Sequence, residues 1–433
     1  MRKVRRDWHA MVSVTGLITL TVIAVGCASS PPAEMVVATD VTVFEGARLI
    51  VGDGSDPIEN AVFVVDEDRF TLVGEADEVE TPAGATRVDL SGRTVMPAII
   101  DTHVHTRTVR AELVEDLERK AYYGVGAVLS LGRDDGGPPF AIRNEAISNA
   151  ALFRTVGRGI TSPEPGRTEV PYWITSEEEA RTAVQELVAA DVTMVKVWVD
   201  DRNGQFEKLS PELYGAVIDE AHARGLRVTA HIFALEDAKG LLRAGIDAFA
   251  HGIRDQDVDD EVVALFAEHP DVVLVPNMGA RGVAEDLGWL AGTIPDEQVA
   301  TLQAGFVDRP DVQERFGIQA RNLARLNEAG VRIAFGTDGN VGWSQHLEMA
   351  DMVASGMTPH EVIVAATSTS ALFLGLTDAG LIVAGKSADF LVLEANPLDD
   401  ITNTRRIESV YLRGEMTDRA GMSARWVARS SGE

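Results

Sequence analysis

The chain is expected to fold as an α/β protein. It should form a (β/α)8 TIM barrel, with a small β-sandwich domain built from its N- and C-terminal flanks. Three observations predict this. Short apolar runs alternate with helical segments eight times over residues 96–376. Both flanks, 36–95 and 377–417, read as strands and turns with no helix. Polar residues able to bind metal fall at the ends of the apolar runs.

The chain has 433 residues, enough for one large domain and a smaller one. Hydrophobic content of 45% supplies a sizeable core. The formal net charge of -28 excludes nucleic acid as a partner, since a phosphate backbone would be repelled.

Residues 1–26 read as a signal peptide: Arg2, Lys3, Arg5 and Arg6 precede an apolar segment from Met11 to Val25. That segment is short for a membrane-spanning helix. Cys27 is the only cysteine, so no intrachain disulfide can form. Standing after Ala24-Val25-Gly26, it resembles a bacterial lipoprotein lipobox, although Leu is commoner where Ala24 stands. The resemblance implies lipid on Cys27, a tether over 27–35, and a protein held at the bacterial cell envelope, facing the periplasm or the outside.

Val36–Phe44 alternates, Ala61–Val65 is a buried run, and Gly52-Asp53-Gly54 and Asp66-Glu67-Asp68 supply turns. The apolar run from Val95 to Ile100 then ends in Asp101-Thr-His-Val-His105. In a strand, side-chain period two points His103, His105 and Asp101 the same way. Further strands are predicted at 126–130, 153–157, 193–199, 226–231, 246–251, 272–276 and 331–336. Helices begin at Ser176-Glu-Glu-Glu179 and Thr358-Pro-His-Glu361, both capping boxes, and at Ser210-Pro211. Residues 277–318 are expected to be a long loop and a plausible lid, with a helix only from Gln319. Ala388–Leu393 and Glu408–Arg413 return to strand, and residues 418–433 are expected to be a loose tail.

Lys196 lies within the fourth run, His231 and His251 end the fifth and sixth, and Asp338 follows Gly336-Thr337 after the eighth. With His103 and His105 they converge on the mouth formed by the C-terminal strand ends. Imidazole and carboxylate together suit a divalent metal.

These motifs (Asp101-Thr-His-Val-His105, Lys196, Thr229-Ala-His231, Ala250-His251-Gly252 and Gly336-Thr-Asp338-Gly339) resemble the amidohydrolase superfamily of metal-dependent hydrolases. Gly385-Lys-Ser-Ala-Asp389 and Asn396-Pro397 resemble its closing β-domain. The branch is the one with a strand-four lysine, similar to prolidase-like dipeptidases, imidazolonepropionases and N-acyl amino acid hydrolases. The resemblance implies two divalent ions, zinc by default with manganese, cobalt and iron as alternatives. Carbon dioxide would be held as a carbamate on Lys196. His103, His105, the carbamate and Asp338 would hold one ion, and the carbamate, His231 and His251 the other. A bridging hydroxide would attack an amide, with Asp338 as general base and then acid. A single ion with unmodified Lys196 is the alternative. The same centre could cleave an ester, lactone or organophosphate, and a lipoprotein that binds metal or ligand without turnover is the third reading. The substrate is expected to be a small molecule, a dipeptide or N-acyl amino acid. Its carboxylate would need a cation, for which Arg133, Arg202 and Arg254 are candidates. His346, eight residues past Asp338, is a further candidate. The Trp198-Val-Asp-Asp-Arg202 stretch departs from the small, glycine-rich run of many relatives, which implies a different pocket wall.

Overall fold

The computed structural model describes residues 41–430. The expected signal peptide, Cys27 and its tether lie outside the described residues. Eight parallel strands form the barrel: Ile99–Val104, Val125–Ser130, Leu152–Thr155, Met194–Trp198, Arg227–His231, Ala248–Ala250, Val273–Val275 and Arg332–Ile333. The third is prolonged by Ile160–Thr161, and Ile160 pairs with Val197 of the fourth. The ring closes through the Thr102 amide, which donates to the Phe335 carbonyl at 2.9 Å, and the Asp338 amide, which donates to His103 at 2.8 Å. The first, second and fourth strands are buried from end to end. Strands covered on both faces read as unbroken apolar runs, which is why the sequence shows them.

Local chemistry sets the helix starts. Ser176 accepts a hydrogen bond from the Glu179 amide, and the Thr358–Glu361 box is complete in both directions. Pro211 occupies the first turn of Pro211–Ala223, where its missing N–H costs nothing.

The flanks build one eight-stranded sheet. From the N-terminal side come Thr42–Leu49, Ile58–Asp66, Arg69–Glu75, Thr86–Asp89 and Thr94–Pro97. Phe390–Leu393, Ile407–Leu412 and Glu415–Met416 come from the C-terminal side. Phe390–Leu393 pairs antiparallel with Thr94–Pro97, which joins the two halves. The strands bearing Phe63 and Phe390 are three places apart in the sheet. In a flat sheet that is about 14 Å. Their rings lie 5.3 Å apart, so the sheet folds over itself in the manner of a sandwich. Phe44, Phe70 and Tyr411 complete that aromatic core.

The structure differs from the sequence reading in three places. The apolar run from Val95 is shared: Thr94–Pro97 belongs to the flank sheet, and the barrel strand starts at Ile99. The expected long loop holds a helix, Asp296–Gly305, and the next helix starts at Pro310 rather than Gln319. The expected loose tail is a helix, Arg419–Ser430. Met422 and Trp426, one turn apart, are buried, and the Trp426 ring meets Tyr122 at 5.4 Å. Among the described residues no helix is long and apolar enough to cross a membrane.

Candidate metal centre

The ends of the first, fourth, fifth, sixth and eighth strands bring six predicted residues to one mouth. His103, His105 and Asp338 offer ligand atoms within 4.8 Å of one another. Asp338 Oδ1 is 3.1 Å from His103 Nε2 and 3.0 Å from His105 Nε2, and its Oδ2 is 3.6 Å from His251 Nε2. The His231 and His251 rings stand 4.5 Å apart, and His251 stands 5.0 Å from His103. Asp338 and His251 both hold positive φ, 54° and 118°; Asp tolerates the first, while the second is a strained value for His. A cavity of about 350 Å³ opens above, lined by the four histidines and Asp338. A second chamber, lined by Met278, Phe306, Leu347 and Glu348, carries none of the six.

The charge states suit a cation. Burial lowers the pKa of His103, of His231 to about 3, and of His251 well below the ordinary range. All three rings are therefore neutral and free to ligate. His103 Nδ1 lies 2.9 Å from the Asn277 side-chain oxygen Oδ1, so Nδ1 carries the proton and Nε2 a bare lone pair. That lone pair faces an Asp338 oxygen, and two acceptors at this distance need a positive charge between them. Burial pushes the Asp338 carboxyl up, and only positive charge set against it, a proton on a facing imidazole or a bound cation, holds it below its usual range.

Lys196 is fully buried and, among the described residues, its Nζ has no hydrogen-bond partner. Burial, with Arg202 and Arg254 nearby, brings its pKa down to about 7 despite Asp338. A neutral amine is the form that takes up carbon dioxide. The orphaned amine and the facing acceptors therefore fit the implied metal and carbamate.

Several supporting residues were not visible in the sequence. Asn277, at the end of the seventh strand, orients His103. Asp200 Oδ2 lies 3.0 Å from His231 Nε2 and is held by Arg202 Nη1 at 2.6 Å. Burial raises the Asp200 pKa, and these partners overcome it to leave the carboxyl well below the ordinary range. Glu164, 1% exposed, joins Arg202 to Arg167. Asp101 ties three elements together. Its carboxylate accepts from Lys120 Nζ at 2.8 Å, from Thr337 Oγ1 at 2.7 Å and from the Thr337 and His103 amides. It thereby fixes the first strand to the eighth, and His103 to Asp338. Asp101 itself stands in the Asp101-Thr-His-Val-His105 motif, but nothing in the sequence pointed to its partner Lys120.

The four further candidates separate. Arg133 lines the cavity, is exposed, and has no ion pair among the described residues. Arg202 is committed to Asp200 and Glu164, with Nη1 3.0 Å from His231 Nε2. Arg254 donates to the Ile232 carbonyl and stacks over Phe233, outside the cavity lining. His346 does not reach the cavity. Its ring is buried against Tyr123 and Trp289, and Nδ1 bonds Thr404 Oγ1. It sits on the helix Gln345–Ala354, which turns it away from the mouth.

The profile of the amidohydrolase family matches residues 94–417. Ochratoxinase of Aspergillus niger is 28% identical, over 83% of this chain and 82% of its own. Imidazolonepropionase of Deinococcus radiodurans is 29% identical, over 82% of this chain and 92% of its own. A solved structure from Bifidobacterium longum, provisionally named a prolidase, superposes with a TM-score of 0.73 at 27% identity, covering 92% of this chain and all of that one. With the family profile spanning three quarters of the sequence and the histidines and aspartate gathered at the barrel mouth, the chain belongs to the amidohydrolase family and is a hydrolase.

Proposed function

We propose that the protein hydrolyses an amide bond of a dipeptide or N-acyl amino acid, at a centre for two divalent cations, zinc by default. The observation that carries this reading is Lys196, a buried amine without a partner among neutral imidazoles. As a carbamate it would become an anionic oxygen ligand. His103, His105 and Asp338 would hold one cation with it, and His231 and His251 the other. The bound cations supply Lewis acidity, polarising a carbonyl and lowering the pKa of water.

The chain's own residues do the rest. Asp338 accepts the proton of the attacking water and passes it to the leaving nitrogen as the C–N bond breaks and the new C–O bond forms. Asn277 and Asp200 keep the His103 and His231 rings turned toward the centre. Arg133, a free cation on the cavity wall, complements a substrate carboxylate. The names of the relatives, prolidase, ochratoxinase and imidazolonepropionase, support amide chemistry. We also propose a location at the bacterial cell envelope, with lipid on Cys27, from the basic start, apolar segment and lone cysteine.

Elemental analysis of protein prepared with bicarbonate should find about two metal ions per chain, and a panel of dipeptides, N-acyl amino acids and lactones should show amide cleavage. Asp338→Asn should lower turnover by about 10²–10⁴-fold. Activity on lactones alone would overturn the amide assignment. A constant single ion, unaffected in Lys196→Ala, would overturn the two-cation centre.

A further inference from the structure

The fourth barrel strand ends at Trp198, two residues past Lys196. Period two therefore points the indole the same way as the lysine. Trp198 is 8% exposed and lines the cavity beside His231 and Asp338. Its ring centroid is 5.7 Å from Lys196 Nζ.

Two glycines make room for the ring. A Cβ on Gly132 would stand 2.5 Å from Trp198 Cη2, and a Cβ on Gly159 would stand 2.0 Å from Cζ3. Gly132 has φ 89°, so its backbone also calls for glycine. Gly159 holds no positive φ, and the three atoms nearest its absent Cβ all belong to the Trp198 ring. Its missing side chain leaves room for the indole. The ring is thus seated in a cradle drawn from the segments after the second and third strands. It cannot swing toward those segments without a clash, so its exposed face is a fixed wall of the cavity.

We infer that Trp198 is the specificity-determining residue of this site: its cradled indole caps the size of the substrate group over the second to fourth strands and selects a compact, flat apolar group there. The inference rests on the proposed amide reading for the identity of that group, but the size limit concerns binding alone. Arg133, Arg167 and Thr168 line the same cavity, where Arg167 is paired with Glu164 and Arg133 is the cation suited to an acid. A ligand with a carboxylate on a flat ring matches both.

The test is calorimetric titration of the metal-loaded protein with acetate, benzoate and 1-naphthoate. Wild type should bind benzoate more tightly than acetate and discriminate against 1-naphthoate. In Trp198→Ala the affinity for 1-naphthoate relative to acetate should rise at least tenfold, with Trp198→Phe between the two. Gly159→Ala, which forces the ring outward, should sharpen the discrimination. Melting curves on each variant confirm folding, and Trp198→Phe, which keeps most of the ring volume, carries the test if Trp198→Ala does not fold. An unchanged ratio across the variants overturns the inference, as does uniform weakening of all three acids or no binding of any. If the acids are sorted by size while no amide is cleaved, the amide reading fails and the gauge stands.

Discussion

Replacing Lys120 by Met should destabilise the barrel, although Lys120 touches no proposed metal ligand side chain. Lys120 is 2% exposed and its partner Asp101 is fully buried. Removing one member of a buried ion pair typically costs about 3–5 kcal/mol, because the remaining charge is left uncompensated. Asp101 keeps three other donors, the Thr337 hydroxyl and the Thr337 and His103 amides, which places the cost at the lower end. At roughly 1 °C per kcal/mol for a chain of this length, a loss of about 3 kcal/mol lowers Tm by about 3 °C. Differential scanning fluorimetry at fixed metal concentration reads this directly. The double variant Lys120→Met with Asp101→Asn should recover part of the loss, since a neutral amide needs no counter-charge. A shift below about 2 °C, or a double variant as unstable as the sum of the singles, would refute the clamp.

Three further outcomes are expected. In Lys196→Ala the metal content, read by elemental analysis, should fall from about two ions per chain to one or fewer, because the shared anionic ligand is gone. Burial pushes the Asp351 carboxyl up to about 7, against an ordinary 3.8, with Arg281 opposing. The folded state thus keeps a proton the unfolded chain has lost. This contribution is full below pH about 4 and disappears as pH rises through 7, so the Tm of Asp351→Asn relative to wild type should climb between pH 5 and 8. Trp426→Ala should cost about 3–5 kcal/mol, as for other buried aromatics, and release the C-terminal helix to proteolysis.

The barrel was legible because strands buried on both faces leave unbroken apolar runs, and because His103, His105, Lys196, His231, His251 and Asp338 interrupt or end them. The supporting residues were hidden for an equally physical reason. Lys120 sits on a helix where a lysine ordinarily faces water, and only the packed structure turns it onto Asp101. Asp200 and Glu164 come from different strand ends and meet through Arg202, a pairing with no fixed spacing in sequence. His346 shows the reverse error: closeness to Asp338 along the chain does not give direction, and a helix beginning at Gln345 carries the ring into the Tyr123–Trp289 cluster. The tail was misread because its large apolar residues are few, Met422, Trp426 and Val427, on a short segment rich in Arg, Ala and Ser.

The flank sheet has a consequence for how the chain reaches its native state. Thr94–Pro97 pairs with Phe390–Leu393, a partner that lies beyond the whole barrel in sequence. Closing so long a loop adds little to the equilibrium entropy, because that term grows only with the logarithm of length. The delay during synthesis is larger. At roughly 5–20 residues per second, the wait between Pro97 and Phe390 is on the order of 15–60 s. Through that interval Phe44, Phe63 and Phe70 lack the ring that completes their core, and an unpaired strand edge stands open. A nascent chain of this design invites chaperone binding at its N-terminal flank, and it is released only when its last strands arrive.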